Sequence, residues 1–169
     1  MSLSLHSVVV GSYAIMLRNM LVWLEKAQAF ATTKPFDSAN YMTMRLAPDM
    51  LPFATQVMIA SEIAKLGVAR LAGVAVPKWE HQDTTLQDLV NRVKQTIDYL
   101  ESFTQAQLDA AAVQTVVVPQ RGKEALTFTS AEFVQRWSEP NFFFHVTTTY
   151  ALLRHAGVDL GKADYLGIY

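Results

Sequence analysis

Val9, Tyr13, Met16, Met20, Trp23, Ala27 and Phe30 follow one another at alternating steps of four and three residues. On a helix of 3.6 residues per turn such a series forms one continuous apolar stripe, which must be covered by another element. Similar spacing recurs in Met50, Phe53, Val57, Ala60, Ala64 and Val68, and again in Leu86, Leu89, Val93, Ile97 and Leu100. A chain with several such stripes buries them by packing helix on helix, so the expected class is all-α.

The boundaries follow from local chemistry. Pro35, Asp37, Ser38 and Asn40 supply a loop after the first helix, and Pro48 is placed to open a second helix running to Leu71, with Gly73 as its left-handed stop. Thr84 with Gln87 resembles a capping box for a third helix ending near Phe103, and Thr104 with Gln107 caps a short turn through Ala111. The β-branched run Val116, Val117, Val118 breaks the helical pattern. It predicts a small hairpin whose second arm is Ala125 to Thr129, turning through Pro119, Gly122 and Lys123. Thr129 with Glu132 then caps a last helix that Pro140 kinks or interrupts and that ends near Gly157. The order is three helices, a hairpin insertion and a fourth helix, with no repeat or long linker, so residues 1–169 are expected to form one bundle domain.

Apolar residues make up 51% of the chain and charged residues 17%, more apolar than an ordinary domain, and pairing two bundles face to face would cover the excess. A homodimer is therefore expected. Lys and Arg total 14 against 15 for Asp and Glu, which gives no basis for a nucleic-acid partner. With no cysteine the chain has no disulfide, zinc-thiolate site or thiol nucleophile of its own. The stretch from Val8 to Leu24 is interrupted by Ser12, Arg18 and Asn19, and the N-terminus lacks a basic n-region, so a cytoplasmic chain with no membrane partner is expected.

No glycine-rich phosphate loop and no nucleophile elbow is present. The segment that stands out is Asn141-Phe142-Phe143-Phe144-His145, where two polar side chains four residues apart share one face of an aromatic-rich helix. A neutral imidazole suits Zn²⁺, Ni²⁺ or Fe²⁺, but an Asn oxygen is a poorer ligand for them, so the pair alone is an incomplete transition-metal site. A hydrogen-bonded structural role for His145 is the competing reading. Asp49 and Gln56 lie seven residues apart, two helical turns, so Gln56 either faces inward or sits on the flank of the second helix. His6, His81 and His155 fall near the terminus, in a connection and at a helix end, and are read as structural or exposed.

The run Asn141-Phe142-Phe143-Phe144-His145-Val146-Thr147-Thr148-Thr149-Tyr150-Ala151-Leu152-Leu153-Arg154-His155-Ala156-Gly157 resembles the DinB-like superfamily, in particular the domain-of-unknown-function family 1993. Arg45-Leu46-Ala47-Pro48-Asp49-Met50, Arg70-Leu71-Ala72-Gly73 and the ending Gly161-Lys162-Ala163-Asp164-Tyr165-Leu166-Gly167 are similar to the same branch. The resemblance implies a DinB-type four-helix bundle, commonly dimeric. Metal-binding members use one histidine of the second helix and a His-x3-His pair of the last, and some transfer low-molecular-weight thiols. Here the last-helix pair maps onto Asn141 and His145, and the second-helix histidine falls near Gln56, so one of three histidines survives.

The expectation is a degenerate metal site with no resident cofactor, in which Gln56, Asn141 and His145, supported by Asp49 or Tyr13, form a polar pocket for a small molecule or partner. The alternative is a divalent-metal-dependent thiol transferase or hydrolase, with Zn, Ni or Mn held by His145, Asn141 and Gln56. A further candidate surface, including Trp79, Phe36 and the hairpin, would dock a protein or a membrane face.

Overall fold

The computed structural model of the chain describes residues 4–80, 82–110 and 115–168, so His81 and Ala111 lie outside the described residues. A π-helical turn, Ser7–Gly11, runs straight into α1, Ser12–Thr33. The stripe from Val9 to Ala27 is buried along its whole length, with Phe30 partly buried at its end. Together these turns form a helix long and apolar enough, by length and composition, to cross a bilayer, yet 56% of its most apolar window is buried inside the protein. The stripe is spent on the core.

Helix α2 spans Phe53–Ala72 and stops at Gly73, which adopts φ 65 as the left-handed cap requires. It begins later than the sequence predicts. Pro48 is the second residue of a turn closed by the Met50 amide on the Ala47 carbonyl at 3.0 Å, and Pro52 disfavours helical backbone at Leu51. The first amides of α2 then donate to loop carbonyls, Phe53 to Met44 at 2.8 Å and Ala54 to Met42 at 3.2 Å. Helix α3, Leu86–Glu101, buries Leu86, Leu89, Val93 and Leu100 as its stripe predicts. Its capping box is Thr85 with Asp88, one residue along from the expected pair, because the Asp88 carboxylate also takes the Thr84 amide and hydroxyl, each at 3.0 Å.

The Thr104–Gln107 box starts the short α4, Gln105–Asp109. Strands β1, Thr115–Val118, and β2, Leu126–Thr129, pair antiparallel with Val116 opposite Phe128 and Val118 opposite Leu126. Period-two alternation buries Val116 and Val118 and leaves Val117 outside. Thr129 caps α5, Ser130–Phe133, which passes through a π-helical turn, Val134–Ser138, into α6, Glu139–His155. The π turn sits directly before Pro140, whose missing N–H would otherwise leave a gap in the helical ladder, so the chain continues where a kink or break is expected.

Around the bundle, α1 packs on α3, α3 on α2, α2 on α6 and α6 on α1. A short α7, Lys162–Leu166, which the periodicity does not reveal, clasps α1. The Trp23 indole N–H and the Asn19 amide donate to its Asp164 and Tyr165 carbonyls, both at 3.0 Å. Phe36 packs edge-on against Phe30 and Tyr41, while Trp79 lies edge-on to Tyr99 and beneath the Lys65 ammonium.

Helix α2 approaches the start of α6 at Gly67, where a Cβ would lie 2.8 Å from Ser138 Oγ. Replacing Gly67 by alanine forces that hydroxyl aside. The Gly67→Ala variant is expected to lose about 1 kcal/mol in denaturant unfolding, the displacement of the Ser138 hydroxyl from Tyr13 net of the helix propensity that alanine gains, and to lose nothing when Ser138 is also alanine. Equal losses in both backgrounds would show that the contact does not limit the packing.

Candidate functional site

Gln56 is on the inner side of α2, fully buried. Its amide Nε2 donates to the Leu51 carbonyl at 2.9 Å, which turns Oε1 toward α6, and there Oε1 meets Nδ1 of His145 at 2.6 Å. Because Oε1 can only accept, Nδ1 must carry the ring proton. Nε2 is then the one ring nitrogen left with a lone pair. Burial holds the His145 imidazolium below the usual histidine range, favouring this neutral form.

Asn141 lies one turn before His145 on α6. Its Nδ2 donates to the Trp137 carbonyl at 2.6 Å, leaving Oδ1 and a second N–H uncommitted among the described residues. Tyr13 is completely buried on α1, stacked on Phe142 with ring centroids 4.1 Å apart. Its hydroxyl donates to Ser138 Oγ at 2.9 Å, and burial drives the phenol well above the ordinary tyrosine range, so it stays a neutral donor. Having accepted from Tyr13, Ser138 keeps its own hydroxyl hydrogen.

These groups border a cavity of about 270 Å³ between α2, α6 and the hairpin. Ser138, Asn141 and His145 line it from the α6 side, and Ile59, Ile63, Leu66, Gly67 and Arg70 from α2. Val118 and Pro119 of the hairpin close one side, and Phe133 and Trp137 supply aromatic surface. Gln56 and Tyr13 stand behind the lining, each fixing the group in front of it. Asp49 is placed differently from the expectation: it is exposed in the Pro48 turn, off the α2 helix, and does not line the cavity. Three contributors escape the sequence reading. Gly67 and Ser138 carry no signal on their own, but Arg70 could have been found, since Ile59, Ile63, Leu66 and Arg70 repeat at steps of four, three and four along α2.

The donor set does not fit a resident transition metal. Among the described residues no three of His, Asp and Glu gather at one point. The Gln56 carbonyl oxygen is engaged by His145, and the remaining candidates are one imidazole nitrogen and one amide oxygen, with no carboxylate in the cavity. His6 and His155 stand apart, His6 on the Phe103 carbonyl at 3.0 Å and His155 exposed at the end of α6.

Removing the Gln56 side chain strands the partly buried Nδ1–H of His145. Gln56→Leu is expected to cost about 1–3 kcal/mol by denaturant titration, despite the apolar replacement. A change below about 0.5 kcal/mol, the range of ordinary surface substitutions, would show that the bond holds nothing in place.

The geometry can be set beside known proteins. No curated protein matches the chain. A solved structure described as a DinB family member protein from Shewanella denitrificans superposes with a TM-score of 0.87 at 39% identity, covering 96% of this chain and 92% of that one. The family model for a domain of unknown function, DUF1993, matches residues 5–166. The chain belongs to the DUF1993 family and carries a DinB-type helical bundle.

Proposed function

We propose that this DUF1993 protein binds a small molecule in the cavity between α2, α6 and the hairpin, without a resident metal. One observation carries the reading: three polar groups with unused hydrogen-bonding capacity, Ser138 of the π turn and Asn141 and His145 of α6, converge on a space walled, apart from Arg70, by aliphatic and aromatic side chains. That combination of apolar walls with a few oriented polar groups is how ligand sites reach both affinity and selectivity. Gln56 and Tyr13 lock the polar groups in advance, so little ordering is left for a ligand to impose. The volume, at the small end of ligand pockets, suits a compact metabolite.

One feature favours the second reading, a divalent-metal-dependent thiol transferase or hydrolase. An imidazole whose Nδ1–H is held by an oxygen acceptor is the arrangement that metal-ligating histidines adopt. The lack of further strong ligands weighs against it.

A fragment library screened by amide NMR is expected to shift the resonances of Gly67, Ser138 and Asn141 together, with the shifts abolished in an Ile59→Trp variant that fills the cavity. Hits confined to other surfaces would contradict the reading. About one equivalent of zinc, nickel or manganese retained by tag-free protein, and lost in His145→Ala, would transfer support to the metal enzyme.

A further inference from the structure

Helix α2 has two stripes. One, from Phe53 through Val57, Ala60, Ala64 and Val68, is fully buried in the core. The other, Ile59, Ile63, Leu66 and Arg70, is half-buried and borders the cavity throughout. It ends in a positive charge. Among the described residues no hydrogen bond or ion pair engages the Arg70 guanidinium, and no Asp or Glu lines the cavity.

Elsewhere the protein pairs its inward cations. The Arg92 guanidinium meets Asp83 at 2.6 Å and Glu62 at 3.2 Å, and the Lys65 ammonium meets Glu62 at 2.7 Å. A partly desolvated cation left without a carboxylate costs stability unless an anion arrives to offset it. Burial accordingly lowers the pKa of Arg70, with no neighbouring charge opposing the shift.

We propose that the cavity selects a small organic monocarboxylate, its carboxylate taken by Arg70 and its apolar body by the Ile59–Leu66 wall. This rests on the reading of the cavity as a ligand site and names its ligand class. A guanidinium fork matches the two oxygens of a carboxylate in plane, and the Ser138 hydroxyl and the spare Asn141 N–H are further donors on the same cavity. One cation balances one negative charge. A dianionic phosphate would bring a second charge that no other lining residue neutralises, in a space walled by apolar groups.

The test is calorimetric titration with phenylacetate, benzoate and isovalerate, each beside the alcohol of the same skeleton, with phenylphosphonate as the dianion, all at a pH well above neutral where the phosphonate is doubly ionised. The wild-type protein is expected to bind at least one carboxylate, and to prefer it to its alcohol by tenfold or more. Arg70→Gln removes a charge that has no hydrogen-bond or ion-pair partner among the described residues and should fold normally, verified by its unfolding midpoint. It is expected to weaken carboxylate binding tenfold or more and to erase that preference, and Arg70→Lys to fall between. Acid and alcohol binding alike, and both indifferent to Arg70→Gln but blocked by Ile59→Trp, would overturn the charge assignment and leave the cavity reading intact. Tighter binding of phenylphosphonate would overturn the choice of a monoanion. No binding of any probe to the wild-type protein would overturn the cavity reading and this inference together.

Discussion

Gly67 lets α2 lie against the start of α6 at the distance of a serine hydroxyl, and Gln56 ties the same pair of helices by a side-chain hydrogen bond to His145. The two contacts are eleven residues apart on α2, about 16 Å along the helix axis. Two points that far apart fix both the separation and the rotation of α2 relative to α6. With that relation set, Ile59, Ile63 and Leu66 fall between the contacts, facing the polar side of α6, and the hairpin closes the space with Val118 and Pro119. The cavity follows from a close approach at one end and a polar bridge at the other.

The polar bridge is also the most exacting part of the arrangement. Gln56 has two hydrogen-bonding ends, and the Leu51 carbonyl accepts from one of them, so the other is left to order His145. Pro52, itself extended, caps the start of α2 and disfavours helical backbone at Leu51. The Leu51 carbonyl thus orients the Gln56 amide that sets the tautomer of a histidine on another helix. Tyr13 plays the matching part at the other end, presenting a neutral hydroxyl to Ser138 because its burial suppresses ionisation.

Period and capping chemistry made the bundle legible. Val9 to Ala27, Phe53 to Val68 and Leu86 to Leu100 are buried along the stripes that spacing alone assigns, and Thr104–Gln107 and Thr129–Glu132 are capping boxes where the residues suggest them. The structure departs from the local pattern where a residue has two compatible uses. Pro48 suits both the first turn of a helix and the second position of a reverse turn, and the second proline at 52 decides between them, which moves Asp49 out of the helix and into solvent. Asp88 outcompeted Gln87 as the partner of the threonine cap because a carboxylate accepts several bonds at once. The site was legible in part: the Asn141–His145 pair lies on one helix, but its meeting with Gln56 bridges eighty-nine residues of sequence and no local rule supplies it. Arg70 was written in the sequence as the end of a second α2 stripe, hidden because the first stripe already satisfied the core.

The most direct measurement of this arrangement is the tautomer of His145 in the ligand-free protein, read from a long-range ¹H–¹⁵N correlation spectrum of the imidazole ring near neutral pH. The expected result is a single neutral form with the proton on Nδ1 and a bare Nε2, changing in Gln56→Leu. A proton on Nε2, or a ring that averages between both forms in the wild-type protein, would show that Gln56 does not hold His145 and would remove the polar bridge on which the cavity is built.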